Sequence, residues 1–129
     1  MPRQVTNPPA LHPAPGFSHI AEERGQRVIH FAGQVALDQE FGIVGGDDLF
    51  EQTKAAMRNV EVALEAAGAG WGDVVRRTIY TLHPTEFETI ARAISEVTGE
   101  AEEPAQTIVG VTGLALPGLL IEIECTASI

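Results

Sequence analysis

From Ile121 to Ala127 the chain alternates apolar and polar side chains at every step, in the order Ile121, Glu122, Ile123, Glu124, Cys125, Thr126, Ala127. A period of two fits a β-strand that presses one face against a core. Ile121, Ile123 and Cys125 face that core, and Glu122 and Glu124 look the other way. A bare carboxylate in a dry interior is heavily penalised, so the second face is a surface, a cleft or an interface where water or a ligand reaches Glu122. The strand therefore supplies a candidate acid or base.

The remaining elements follow from turn and cap signals. Five of the eight prolines fall within residues 1–15, where missing amide donors and fixed φ angles oppose helix and sheet, and an extended Pro-rich arm is expected there, ahead of a single domain over 16–129. Residues 17–23 and 27–33 read as a hairpin around Arg24-Gly25-Gln26. Gly42, Gly45 and Gly46 form a loop without the spacing of a phosphate-binding fingerprint. Asp47 or Asp48 caps a helix that runs to about Ala67 on the stripe Phe50, Thr53, Met57, Val60, Leu64, and Gly68 ends it. A strand over 73–82 puts Val75 and Ile79 on one face and Val74, Tyr80 and Leu82 on the other. Thr85-Glu86-Phe87-Glu88 is a capping-box pattern opening a second helix with the stripe Phe87, Ile90, Ile94, Val97, ending near Gly99. Strands over 105–112 and 119–128 complete a β-β-α-β-α-β-β order, an α+β mixed sheet with two helices packed on one face. With Val74, Tyr80 and Leu82 beside Glu122 and Glu124, the other face is too apolar for solvent and too acidic for a closed core, so a second subunit is expected to cover it.

Composition removes several function classes. A chain of 129 residues with 44% hydrophobic content holds one two-layer core. Its formal charge of −10 repels phosphate backbones, so no nucleic-acid partner is expected. Cys125 is the sole cysteine, which forbids an internal disulfide and suits a reducing compartment, and its alternation with Ile121 and Ile123 marks a core residue rather than a nucleophile. Met1-Pro2-Arg3-Gln4 has no apolar signal core, and no run reaches the roughly 20 apolar residues of a membrane span. A cytoplasmic protein without a membrane partner is the expectation. His12, His19, His30 and His83 lack H-x-x-H spacing, and no metal site is expected.

The pieces Gly16-Phe17-Ser18-His19, Phe31-Ala32-Gly33-Gln34-Val35-Ala36-Leu37-Asp38, Glu51-Gln52-Thr53, Asn59-Val60, Leu64-Glu65-Ala66-Ala67-Gly68, Asp73-Val74-Val75, Pro104-Ala105-Gln106-Thr107 and Glu122-Ile123-Glu124 occur in an order and spacing that resembles the Rid family. These are reactive-imine deaminases, also called YjgF-type proteins. The resemblance implies a chorismate-mutase-like fold, a homotrimer with sheets turned inward, clefts between neighbouring subunits, and hydrolysis of small imines or enamines without metal or organic cofactor. It further implies that Glu122 positions or activates the attacking water, and that the cleft is walled by Phe17, Ala32, Gly33, Gln106 and Thr107.

The chain departs from the family pattern where the ligand's head group would sit. Gln106 replaces the arginine of Pro-Ala-Arg-Thr, Ala32 the serine of Ser-Gly-Gln, Ala91 or Arg92 an asparagine, and Phe17 a tyrosine. An amide cannot offer the bidentate charged fork that suits arginine to a carboxylate, and losing such a pair in a desolvated site costs roughly 2–5 kcal/mol. A simple amino-acid imine is thus not the expected substrate. Glu122 stands open between a water-handling role and a structural one, either paired with Arg76 or Arg77, which point to opposite faces of their strand, or lining a solvated channel of the trimer. The leading expectation is hydrolysis of a small imine, enamine or related reactive molecule; the rival is a non-catalytic small-ligand binding protein on the same trimeric scaffold.

Overall fold

The computed structural model describes residues 2–129. Its elements are β1 (Arg3–Thr6), β2 (Ile20–Glu23), β3 (Val28–Val35), α1 (Leu49–Ala66), a 3-10 turn (Trp71–Asp73), β4 (Val74–Thr81), α2 (Phe87–Thr98), β5 (Ala105–Gly110) and β6 (Ile121–Ser128). The main sheet has the order β3-β6-β4-β5, with β4 and β5 parallel across the α2 crossover and the other pairs antiparallel. Both helices pack on one face of it, Met57, Val60, Leu64, Ile90 and Ile94 meeting Ile79, Ile121, Ile123 and Cys125 in one core. This is the α+β, chorismate-mutase-like architecture. No helix among the described residues is long and apolar enough to cross a membrane.

The ends of α1 follow their sequence signals. Asp48 caps it, its carboxylate accepting from the Glu51 amide at 3.2 Å, and Gly68 adopts φ +77° just beyond it, where a side chain would be strained. Gln52, fully buried on α1, donates to the Gly46 and Gly118 carbonyls at 2.6 and 2.9 Å and accepts from the Leu120 amide at 2.9 Å. One side chain thereby satisfies three backbone groups of two loops, which is why a polar residue belongs in this core.

Four sequence expectations are corrected. The 17–23/27–33 hairpin does not form, because β2 pairs with β1 while β3 pairs with β6. The segment between them docks on the chain end: Gly25 donates to Ser128 Oγ at 2.9 Å, and the Gln26 and Arg27 amides donate to the Ile129 carbonyl at 2.9 Å each. A Cβ on Gly25 would lie 2.6 Å from Ser128 Oγ, so glycine serves close approach here. Second, part of the Pro-rich arm is sheet. Between Pro2 and Pro8 the chain has free amide donors, and Arg3–Thr6 uses them to pair with β2 while the buried Arg3 guanidinium donates to the Val74 and Glu102 carbonyls. Third, Thr85 does not cap α2; Glu86 occupies the cap position without a side-chain hydrogen bond, and Phe87 is 49% exposed rather than part of the buried stripe. Fourth, a bulge between Val74 and Arg76 turns Val74 into the core. The uncovered face of the sheet is consequently polar along β4 and β6, carrying Arg76, Thr78, Tyr80, Glu122, Glu124 and Thr126.

Candidate functional site

Register decides which candidate residues share a face. Across the sheet Gln106 lies level with Arg77 and Cys125, on the helix-covered side, whereas Val109, Tyr80 and Glu122 line up on the open side. The residues expected to form one cleft therefore fall on opposite sides of the sheet within a single chain.

On the helix-covered side, Gln106 reaches a cavity of about 540 Å³ between β5, the start of α2 and residues 12–17. Its wall includes Phe17, Phe87, Ile90, Ala91, Ile108 and the prolines Pro13, Pro15 and Pro84, with His12 as the second polar side chain. Phe17 is wedged edge-on against His19 with ring centres 5.2 Å apart, and His19 Nε2 bonds the His12 carbonyl at 2.8 Å. Ser18 pins this segment to the entry of β5 by donating from its hydroxyl to the Glu103 carbonyl at 2.6 Å and from its amide to the Pro104 carbonyl at 2.8 Å. Phe17, Gln106 and the residue at 91 are brought together as the sequence implies; His12 and Phe87 are additions that it did not single out, since a proline-flanked histidine and a helix-start phenylalanine read as loop and core.

Behind Gln106 stands Arg77. Its side chain is 1% exposed, donates from Nε to Gln106 Oε1 at 2.6 Å and from Nη2 to the Gly16 carbonyl at 3.2 Å, and pairs through Nη2 with Glu103 at 2.7 Å. A buried guanidinium is tolerable only with its charge matched, which Glu103 does here while Nε and Nη2 also find oxygen acceptors.

On the open side, Glu122 is half-buried above Gly33: a Cβ built on Gly33 would fall 2.1 Å from Glu122 Oε2. Glycine is what lets the carboxylate lie against the β3 backbone, and Ala32 beside it is exposed. Glu122 forms no ion pair with Arg76 or Arg77. Arg76 instead donates to Thr107 Oγ1 at 2.7 Å, which places Thr107 on this face, away from Gln106. Glu124 accepts from Tyr80 Oη at 2.6 Å, and that hydrogen bond raises the phenol's pKa above its ordinary value of 10.0. Cys125 is buried, and desolvation pushes its thiol up to about 11, the opposite of what activates a nucleophile. No group of three or more His, Cys, Asp or Glu side chains among the described residues is arranged to hold a metal.

Residues 8–129 match the model of the family described as endoribonuclease L-PSP. The chain is similar to a RutC family protein of Pyrococcus abyssi, with 38% identity over 99 residues, 77% of this chain and 76% of that one. It is similar to the 2-iminobutanoate/2-iminopropanoate deaminase of Mus musculus, with 32% identity over 102 residues, 78% of this chain and 73% of the other. Among solved structures, a Rid family protein from Yersinia pestis, YyfB, described as of unknown function, superposes with a TM-score of 0.94 at 41% identity, covering 100% of both chains.

Proposed function

The chain belongs to the endoribonuclease L-PSP family, the Rid or YjgF-type proteins, and from that premise we propose that it hydrolyses small imines or enamines in clefts between subunits of a homotrimer. The observation that carries this reading is the split of the site across the sheet: Gln106 and its cavity on one side, Glu122 and Gly33 on the other. Two half-sites on one chain are complete only where a second copy sets its Glu122 against the first copy's cavity. A relative named as an imine deaminase supports the reaction class.

In the proposed cleft a water held by Glu122 attacks the imine carbon. The new C–O bond forms as Glu122 takes one proton of the water and passes it to the nitrogen, giving a carbinolamine; the carboxylate then carries the hydroxyl proton to the nitrogen as the C–N bond breaks, and ammonia leaves with a carbonyl product. With an amide at position 106, the substrate is not a simple imino acid. Ammonia release from an imino acid and from an uncharged aryl-alkyl ketimine is the test. Turnover of the uncharged imine is expected, with a loss of about 10²–10⁴-fold in kcat for Glu122→Gln while KM changes little. Full turnover in Glu122→Gln would remove the base from Glu122. Tight small-molecule binding without turnover on either imine would instead favour the non-catalytic binding protein, a reading supported by the mostly apolar lining of the cavity.

A further inference from the structure

The position of Arg77 determines which end of the Gln106 amide a ligand meets. A guanidinium carries donors only, so the Gln106 atom lying 2.6 Å from Arg77 Nε must be the amide oxygen; reversing the amide would set two donors against each other. Nε2 is left as the free polar end and makes no hydrogen bond among the described residues. The positive charge behind the amide is matched by Glu103 at 2.7 Å, so Arg77 has no unmatched charge to offer an anion. The remaining wall is proline, aromatic and aliphatic apart from His12, and about 540 Å³ lies within the range of about 300–1,000 Å³ typical of small-molecule pockets.

We infer that this cavity takes an uncharged molecule with an apolar, ring-sized body and a hydrogen-bond acceptor, a carbonyl oxygen or imine nitrogen, which Gln106 Nε2 holds, and that Arg77 is the positioning residue that keeps the amide in this orientation. The inference deepens the imine-hydrolase reading by naming the substrate class, and rests on it only for the chemistry that follows binding. An uncharged amide donor favours a neutral acceptor over a carboxylate here, because a carboxylate would give up part of its hydration without gaining a counter-charge from Arg77.

Two probes of matched shape test it, 1-phenylpropan-2-one and phenylacetate, titrated against the full chain by ligand-observed NMR and by the side-chain amide resonances of Gln106. The ketone is expected to bind about tenfold or more tighter than phenylacetate and to move the Gln106 Nε2 protons. Gln106→Leu should weaken the ketone by about 2–10-fold, the worth of one neutral hydrogen bond. Arg77→Met should weaken the ketone by a similar factor and leave its binding without a single shifted Gln106 Nε2 signal, because the amide can then reorient, a change in the amide resonances that loss of packing alone would not produce. If Arg77→Met does not fold, Gln106→Leu and the native chain decide the matter. Equal or tighter binding of phenylacetate, or an unshifted Gln106 amide with ketone bound, would overturn the inference. Ketone binding without imine turnover would uphold it and sink the hydrolase reading, whereas turnover joined to a carboxylate preference would sink the inference alone.

Discussion

At the residue scale, Arg77 and Gln106 behave as one unit, and this changes what a return to the family's arginine would do. In Gln106→Arg a second guanidinium arrives where Arg77 Nε now finds the amide oxygen at 2.6 Å. Even with Glu103 offsetting part of the repulsion, a cost of about 1–2 kcal/mol is expected, which lowers Tm by about 3–8 °C in a domain of this size. Gln106→Arg should bind imino acids, because its second guanidinium exceeds the one charge that Glu103 matches, whereas Arg77→Met/Gln106→Arg should recover the stability and lose most of that binding; differential scanning calorimetry and ammonia release check the two halves. Tyr80 offers a cleaner titration, since it is the sole tyrosine of the chain and its ionisation at 295 nm has no competitor. Its hydrogen bond to Glu124 comes first among the causes of its raised pKa, followed by desolvation and the nearby Glu124 and Glu122 charges. A raised folded-state pKa means that the contribution is fully present below pH 10 and fades as pH climbs through the folded value. Glu124→Gln should bring the midpoint down towards 10, and an unchanged midpoint would mean that the hydrogen bond does not form in solution.

At the element scale, close backbone approach and one cap hold the machinery. Gly33→Ala drives a methyl into the space of Glu122 Oε2, and the flexible carboxylate must swing away. Because the obstruction is the end of a side chain rather than backbone, the fold should survive with Tm within a few degrees, while kcat falls by about a hundredfold, the order of loss that a misplacement of about 1 Å brings. Unchanged kcat would separate Gly33 from the site. Asp48→Ala removes the cap of α1, for which about 1 kcal/mol is expected from urea unfolding. The helices were legible because their signals are local: Asp48 before the apolar stripe, Gly68 and Gly99 after it. The hairpin was misread because Gly25 looks the same whether it turns a chain or lets Ser128 approach.

At the scale of the whole molecule, the bulge at Val74 separates two kinds of damage. Val74→Lys buries an unpaired charge in the core beside Ala127 and should unfold the subunit itself, at a cost of about 3–5 kcal/mol. Tyr80→Lys changes the open face and leaves the core alone, so it should keep native circular dichroism while shifting the mass measured by light scattering from trimer towards monomer. A native chain that scatters as a folded monomer at micromolar concentration would end the proposal of clefts between copies, because no single chain brings Glu122 to the Gln106 cavity.

The amino-acid order by itself determined the secondary structure of the helices and of β4 to β6, the core identity of Ile121, Ile123 and Cys125, and the presence of a carboxylate on an uncovered face, because each depends on period, caps and the cost of burying charge within a few residues. It also carried the family, through motifs whose spacing survives without any fold being known. Tertiary structure alone decided the partners of β2 and β3, the inward turn of Val74, and the burial of Arg77 against Gln106 and Glu103. Those outcomes depend on groups well separated in the chain meeting in space, as Arg77 does with Glu103 26 residues on, and pairing energies between distant groups leave no periodic mark on a single strand of sequence.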